Sequence, residues 1–137
     1  MTWQTRVLVI ANQTAESEEL LRALKERAQG GQTAFRLLVP AGPSARDQAA
    51  TRLATAVERM RAAGLDVEGE LAHDSDPLIA VQEAWDPRSY DEIVVSTLPT
   101  GVSKWLQVDL PHRVAKLTDA PVKHVVAQRQ QAAHAPA

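Results

Sequence analysis

The chain has 137 residues, a formal net charge of −2 and no cysteine. Its length fits one domain that buries its own core, and the lack of cysteine excludes disulfides, thiolate metal sites and thiol nucleophiles. Lys and Arg are interspersed with Asp and Glu, and no segment reaches the roughly 20 apolar residues of a membrane helix. The sequence therefore predicts neither a nucleic-acid-binding surface nor a membrane span.

The first half of the chain alternates short apolar runs with amphipathic stretches. We predict strands over Arg6–Ala11, Phe35–Val39 and Val67–Ala72, of which the third alternates apolar residues with glutamates. Apolar residues at helical spacing predict helices over Glu16–Ala28 and Ala45–Ala63. Glycines stop both helices at the positions of a C-terminal cap, namely Gly30, Gly31 and Gly64.

The second half continues the same alternation. Asp76 as N-cap and proline as the next residue predict a helix over Pro77–Trp85. We predict strands over Glu92–Ser96 and Val122–Ala127, with a helix over Leu110–Leu117 between them. Residues 1–127 then form one domain, and residues 128–137 form a flexible C-terminal tail.

The alternation of strands and helices predicts an α/β fold. A parallel sheet with helices on both faces forms a three-layer sandwich. Strands that are covered on both faces are continuously apolar, whereas edge strands include charged residues. The first and fourth strands are the most apolar, and the third and fifth include charges. We therefore predict five parallel strands in the order 3-2-1-4-5.

This strand order predicts where a ligand would bind. In open parallel sheets, ligands lie beyond the carboxyl ends of the strands where the winding direction reverses, here between strands one and four. The loops there are Asn12–Ala15 and Thr97–Asp109, and the second is rich in hydroxyl groups. Alternatively, these hydroxyls satisfy the loop's own backbone. The candidate ligand-binding residues are Asn12, Ser96, Thr97, Thr100, Gly101, Ser103, Lys104 and Asp109.

Several of these features together resemble the universal stress protein family, over about Val7 to Val126. They are the five-strand layout, the long second helix ending at Gly64, the turn Asp74-Ser75-Asp76-Pro77, and the entry Ala120-Pro121-Val122 into the last strand. The resemblance implies the universal stress protein fold, which is like that of the adenine nucleotide alpha hydrolases. It also implies a cytoplasmic stress-response or regulatory protein that is often a homodimer.

Nucleotide-binding members of that family have a glycine fingerprint after strand four, from which this chain departs. The three glycine positions fall on Val95, Leu98 and Val108, and the Ser/Thr position falls on Asp109. Asn12 occupies the position of an aspartate at the end of strand one. Branched side chains obstruct the close approach of phosphate to backbone amides, and Asp109 repels phosphate. We therefore predict no resident cofactor, with ATP or AMP as the alternative.

The last strand is the predicted dimer interface. Val122–Ala127 is an edge strand interrupted only by Lys123 and His124, and an unprotected edge pairs readily with a second copy. The resemblance also implies dimerisation through this strand. Alternatively, the C-terminal tail covers the edge and the protein is a monomer.

Other residue patterns give weaker candidates. His73-Asp74-Ser75 contains hydrolase residue types, but a catalytic triad is defined by spatial geometry rather than adjacency. Asp76 as a helix cap explains the segment better. The four histidines have no metal-ligand spacing, so we predict no metal site.

Two functional hypotheses remain from the sequence. One is a binding module with a small pocket, and the other is a dimer that lost its nucleotide and acts through an unidentified protein partner. A phospho-acceptor receiver domain needs an acidic pair after strand one and a lysine after strand five, where this chain has Asn12-Gln13 and Gln128. An enzyme would need a base, nucleophile or metal in the pocket, and Asp109 is its only acidic residue. We therefore predict a non-catalytic protein.

Overall fold

The computed structural model describes residues 4–98 and 104–127, and for residues 104–109 it describes the backbone alone. Within these residues, five β-strands alternate with four α-helices, and a short 3-10 helix, Pro43–Ala45, precedes the second helix. The elements are β1 Thr5–Ile10, α1 Glu18–Ala28, β2 Thr33–Val39, α2 Arg46–Ala62, β3 Asp66–Leu71, α3 Pro77–Ala84, β4 Glu92–Thr97, α4 Lys104–Thr118 and β5 Val122–Val126.

All five strands are parallel, in the order β3-β2-β1-β4-β5. Helices α1 and α2 cover one face of the sheet, and α3 and α4 cover the other. The α/β fold and the strand order predicted from the sequence are confirmed. The physical basis of the prediction also holds, because the central strands are fully buried over Val7–Ile10 and Ile93–Thr97, whereas β3 exposes Asp66, Glu68 and Glu70.

The helix-start and helix-stop signals act as predicted at Asp76 and Gly64, whereas α1 starts two residues later than predicted. The Leu78 amide donates to Asp76 Oδ1 at 2.9 Å, so Asp76 caps α3. Gly64 follows α2 with φ of +91°, a left-handed conformation that glycine adopts at low energy. The Leu20 amide donates to Ser17 Oγ at 3.1 Å, which makes Ser17 the cap and starts α1 at Glu18 rather than at Glu16.

Helix α4 begins at Lys104, so the predicted start at Leu110 is wrong. Asp109 is inside the helix and does not cap it, and Lys104 is the first helical residue rather than part of a loop. The prediction relied on Asp109 as the N-cap of the helix. In the structure Pro111 lies within α4, where it removes one backbone hydrogen bond.

Among the helices of residues 4–98 and 104–127, none is both long and apolar enough to cross a bilayer. The predicted tail, residues 128–137, lies outside the described residues, so its assignment stays a prediction.

Candidate functional site

The candidate site lies at the carboxyl ends of β1 and β4, which are neighbours in mid-sheet. Ile10 at the end of β1 aligns with Val95, so Ser96 and Thr97 extend β4 beyond the last residue of β1. After β1 the chain turns back toward α1, and the Ala15 amide donates to the Asn12 carbonyl at 3.1 Å. The predicted adjacency of these two strand ends is confirmed, and we use the term β1–β4 crevice for the space beside them in which a ligand is predicted to bind.

A buried pair of hydroxyl groups joins the two sides of the crevice. Thr14 Oγ1 lies 2.6 Å from Ser96 Oγ, and the two residues are only 4% and 7% exposed. Each hydroxyl can donate to the other, so neither polar group is buried without a partner. The sequence identified Ser96 as a site residue but missed Thr14. Thr14 could have been identified from the sequence, because it lies in the loop Asn12–Ala15 that was already predicted to border the crevice.

Asn12 lies at the rim of the crevice, and both of its side-chain polar atoms are held. Its Nδ2 donates to the Pro40 carbonyl at 3.3 Å, and its Oδ1 accepts from an Arg52 guanidinium nitrogen at 2.7 Å. These partners fix the orientation of the amide, yet leave it one further donor and one further acceptor. Sequence reasoning missed Arg52, because it lies on α2 and no local pattern links it to Asn12.

Helix α2 contributes a second guanidinium to the same loop. Arg59 donates to the backbone carbonyl of Glu16, and it also pairs with Glu18 Oε2 at 3.0 Å. Arg52 and Arg59 are seven positions apart and therefore lie on one side of the helix. Two arginines of α2 thus hold the β1–α1 loop in place, although α1 and β2 separate the loop from α2 in the chain.

Thr97 belongs to the β4–β5 side rather than to the β1 side. Its Oγ1 lies 2.7 Å from His124 Nε2, and its carbonyl accepts from the Ala127 amide at 2.8 Å. Burial lowers the pKa of His124 from its usual 6.5, which favours the neutral imidazole. The Thr97 side chain therefore links β4 to the edge strand β5.

The remaining predicted site residues are only partly placed. Lys104 and Asp109 lie in α4, as backbone positions. Thr100, Gly101 and Ser103 lie outside the described residues. No group of three or more His, Asp or Glu side chains within the described part of the chain is arranged to hold a metal ion.

The turn His73-Asp74-Ser75 has a local structural role. Asp74 Oδ1 accepts from the Asp76 amide at 2.8 Å, and the Asp74 carbonyl accepts from the Ala41 amide at 3.1 Å. One guanidinium nitrogen of Arg46 donates to the Ala41 and Ala72 carbonyls, at 3.3 and 2.8 Å. These bonds join the ends of β2 and β3 and give Asp74 a structural role in the turn.

Comparison with known proteins gives a clear result at the level of structure only. No family model matches the sequence, and no curated protein matches it. Among solved structures, a universal stress protein from Archaeoglobus fulgidus in complex with dAMP has a TM-score of 0.65 at 16% identity, over 91% of this chain and 99% of its own. The chain has the fold of the universal stress proteins.

Two further solved structures agree with this assignment. A universal stress protein in complex with cAMP has a TM-score of 0.64 at 24% identity, covering 93% of this chain and 99% of its own. A second structure from Archaeoglobus fulgidus has a TM-score of 0.64 at 18% identity, covering 88% of this chain and 93% of its own. The resemblance to universal stress proteins seen in the sequence is confirmed as a shared fold. In this version of the universal stress protein fold, Asn12 and the Thr14–Ser96 pair border the β1–β4 crevice.

Proposed function

We propose that this chain is a non-catalytic universal stress protein that binds a small adenine nucleotide in the β1–β4 crevice. The observation that carries the proposal is the Asn12 amide, held at the crevice rim by Pro40 and Arg52 with one donor and one acceptor still available. Similar proteins support the choice of ligand class, since one fold neighbour was solved with dAMP and another with cAMP.

The chemistry around Asn12 favours a monophosphate over a triphosphate. The available amide donor and acceptor can bond a base or a ribose edge, and Arg52 adds a positive charge beside them. Leu98 occupies one position where nucleotide-binding members have glycine, and a branched side chain there restricts the approach of phosphates to the backbone. A single phosphate needs fewer such contacts than three, so we expect AMP and cAMP to bind more tightly than ATP.

The described groups at the crevice suit binding rather than catalysis. Asn12, Thr14 and Ser96 provide an amide and two hydroxyls, and the hydroxyls bond to each other. A serine nucleophile needs an adjacent general base, whereas the Ser96 hydroxyl bonds to another hydroxyl, that of Thr14. We therefore expect bound nucleotide to be released unchanged.

Calorimetric titration of AMP, cAMP and ATP into the full chain tests this proposal. Asn12→Ala and Lys104→Ala should each weaken AMP binding about fivefold to tenfold, the effect of losing one hydrogen bond or charge. Arg88→Ala is the matched control, because Arg88 lies in the turn before β4, at the opposite end of the sheet. Absence of binding to all three nucleotides, or equal loss in the control, would overturn the proposal.

A second candidate function is a homodimer that acts through protein partners. The supporting observation is that β5 lies at the end of the strand order with Val126 40% exposed. An open strand edge of this kind can pair with the same edge of a second copy. Sedimentation of the wild-type chain and of Val126→Lys tests it. We expect a dimer that the substitution converts to a monomer, and a monomeric wild type would refute it.

We also propose a cytoplasmic location and a regulatory role under stress. A chain without cysteine suits a reducing compartment, and the fold is that of the universal stress proteins. Immunoblots of cell fractions before and after growth arrest test both points. A membrane-bound or secreted pool, or a level unchanged by every stress applied, would contradict this role.

A further inference from the structure

The outer edge of β3 presents backbone groups that no other described strand pairs with, since β3 lies at one end of the sheet. Two hydrogen bonds show which residues of β3 direct their backbone groups away from β2. The Ala72 amide donates to the Val39 carbonyl, toward β2, whereas the Val67 carbonyl accepts from Arg61 Nε at 2.9 Å. In a parallel strand, outward and inward residues alternate. Gly69 and Leu71 therefore direct their amides and carbonyls away from β2.

An open groove of about 670 Å³ lies beside this edge, between β3 and α2. Gly69 forms part of its floor, where a Cβ would lie only 2.8 Å from Leu53 Cδ1. The groove extends the face of the sheet that packs against α2. Its apolar lining is Ala50, Leu53, Ala54, Val57, Gly69 and Leu71.

The opposite face of the same edge is acidic. The side chains of Glu68 and Glu70 are 65% and 46% exposed, and Arg36 contacts them at 3.3 and 3.7 Å. Asp66 adds a third carboxylate on this face of β3. Two guanidinium groups, Arg6 and Arg36, lie near these three carboxylates, and Arg6 also pairs with Asp91, so carboxylates outnumber cations on this face.

We propose that the β3 edge binds an extended segment of a protein partner in which apolar and basic side chains alternate. Side chains of a strand alternate between the two faces of the sheet. Apolar residues of the added strand would enter the groove, and its basic residues would face Glu68 and Glu70. Gly69 and Leu71 would provide the backbone hydrogen bonds, as in other cases of strand addition.

Charge excludes a second copy of this chain as the favoured occupant. Pairing two β3 edges would bring the carboxylates of Asp66, Glu68 and Glu70 near those of the other copy. Like charges that face each other across strands are destabilising. The same acidic residues that oppose self-association thus select a basic partner.

Titration of the isotope-labelled full chain with synthetic peptides tests the proposal. The probe is a capped peptide of alternating valine and lysine, about six residues long like an ordinary strand. Its control alternates valine and glutamate. We expect the valine–lysine peptide alone to shift the amide signals of Gly69 and Leu71 and to slow their hydrogen exchange. Unchanged Gly69 and Leu71 signals, or equal binding of both peptides, would overturn the proposal.

Charge variants make the test specific to this edge. The double variant Glu68→Gln, Glu70→Gln should lower the affinity for the valine–lysine peptide about tenfold. The double variant Glu68→Lys, Glu70→Lys should bind the valine–glutamate peptide instead. Glu19→Gln, Glu26→Gln on α1 is the control with the same change in net charge. An equal loss of affinity in that control would show that the peptide responds only to the net charge of the protein. Self-association through the β3 edge would identify a second copy of the chain as the occupant. Either result overturns the proposal.

Discussion

Thr14 and Ser96 are 82 positions apart in the chain, and their hydroxyl oxygens lie 2.6 Å from each other in the interior. The contact joins the loop after β1 to the carboxyl end of β4. It therefore fixes the distance between the two strand ends that border the crevice.

Removing one member of this pair should destabilise the protein. Thr14→Val keeps the shape of the side chain but leaves the Ser96 hydroxyl buried without its partner, and we expect a loss of about 1–3 kcal/mol in the free energy of unfolding. Ser96→Ala should have a similar effect. The loss of unfolding free energy in the double variant should be smaller than the sum of the two single losses by at least about 0.5 kcal/mol. Urea denaturation measures all three, and strict additivity would contradict a direct bond.

Arg52 should affect ligand binding without affecting folding. Arg52→Met releases the Asn12 amide, so we expect AMP affinity to fall about threefold to tenfold with little change in the melting temperature. The control is Arg88→Met, which removes the same charge from a side chain that is 91% exposed. Calorimetric titration measures the affinities. Unchanged AMP affinity in Arg52→Met would show that Asn12 needs no support from α2.

A bidentate ion pair between Arg27 and Glu92 links α1 to the start of β4. Arg27 donates to the two Glu92 carboxylate oxygens at 2.8 and 2.5 Å, and this contact raises the pKa of Arg27. Both side chains are about a third exposed or less. We expect Arg27→Lys to lower the free energy of unfolding by about 1 kcal/mol, because lysine cannot form the paired geometry. Urea denaturation with Lys25→Arg as control tests this, and a loss near zero would assign the pair no stabilising role.

His124 should make stability depend on pH. Burial holds its folded-state pKa below the usual 6.5, so the unfolded chain takes up a proton at a higher pH than the folded chain does. Stability is then fully present above about pH 6.5 and falls as the pH drops toward the folded pKa. His124→Gln should flatten this part of the profile of urea midpoints against pH. Because burial is the cause, Thr97→Val should leave the pKa low. An NMR titration of His124 at or above 6.5 would contradict the prediction.

The sheet was predictable because its determinants are local in the sequence. Ile93-Val94-Val95 is apolar on both faces and therefore central, whereas β3 alternates Val67 with Glu68 and Glu70 and therefore lies at an edge. Helix α4 was mispredicted for a local reason as well. Asp109 has the residue type of an N-cap, but it lies inside the helix rather than before it.

The adjacency of the two strand ends was predictable from the sequence, but the side-chain contacts beside them were not. Hydrophobic periodicity and charge determine strand order, and strand order alone brings the ends of β1 and β4 together. By contrast, the bonds of Asn12 to Pro40 and Arg52 depend on how α2 packs over the sheet. The sequence by itself determined the fold and the adjacency of the ends of β1 and β4. Only the tertiary structure decided which side chains meet there, because those pairs join residues far apart in the chain whose approach is set by packing.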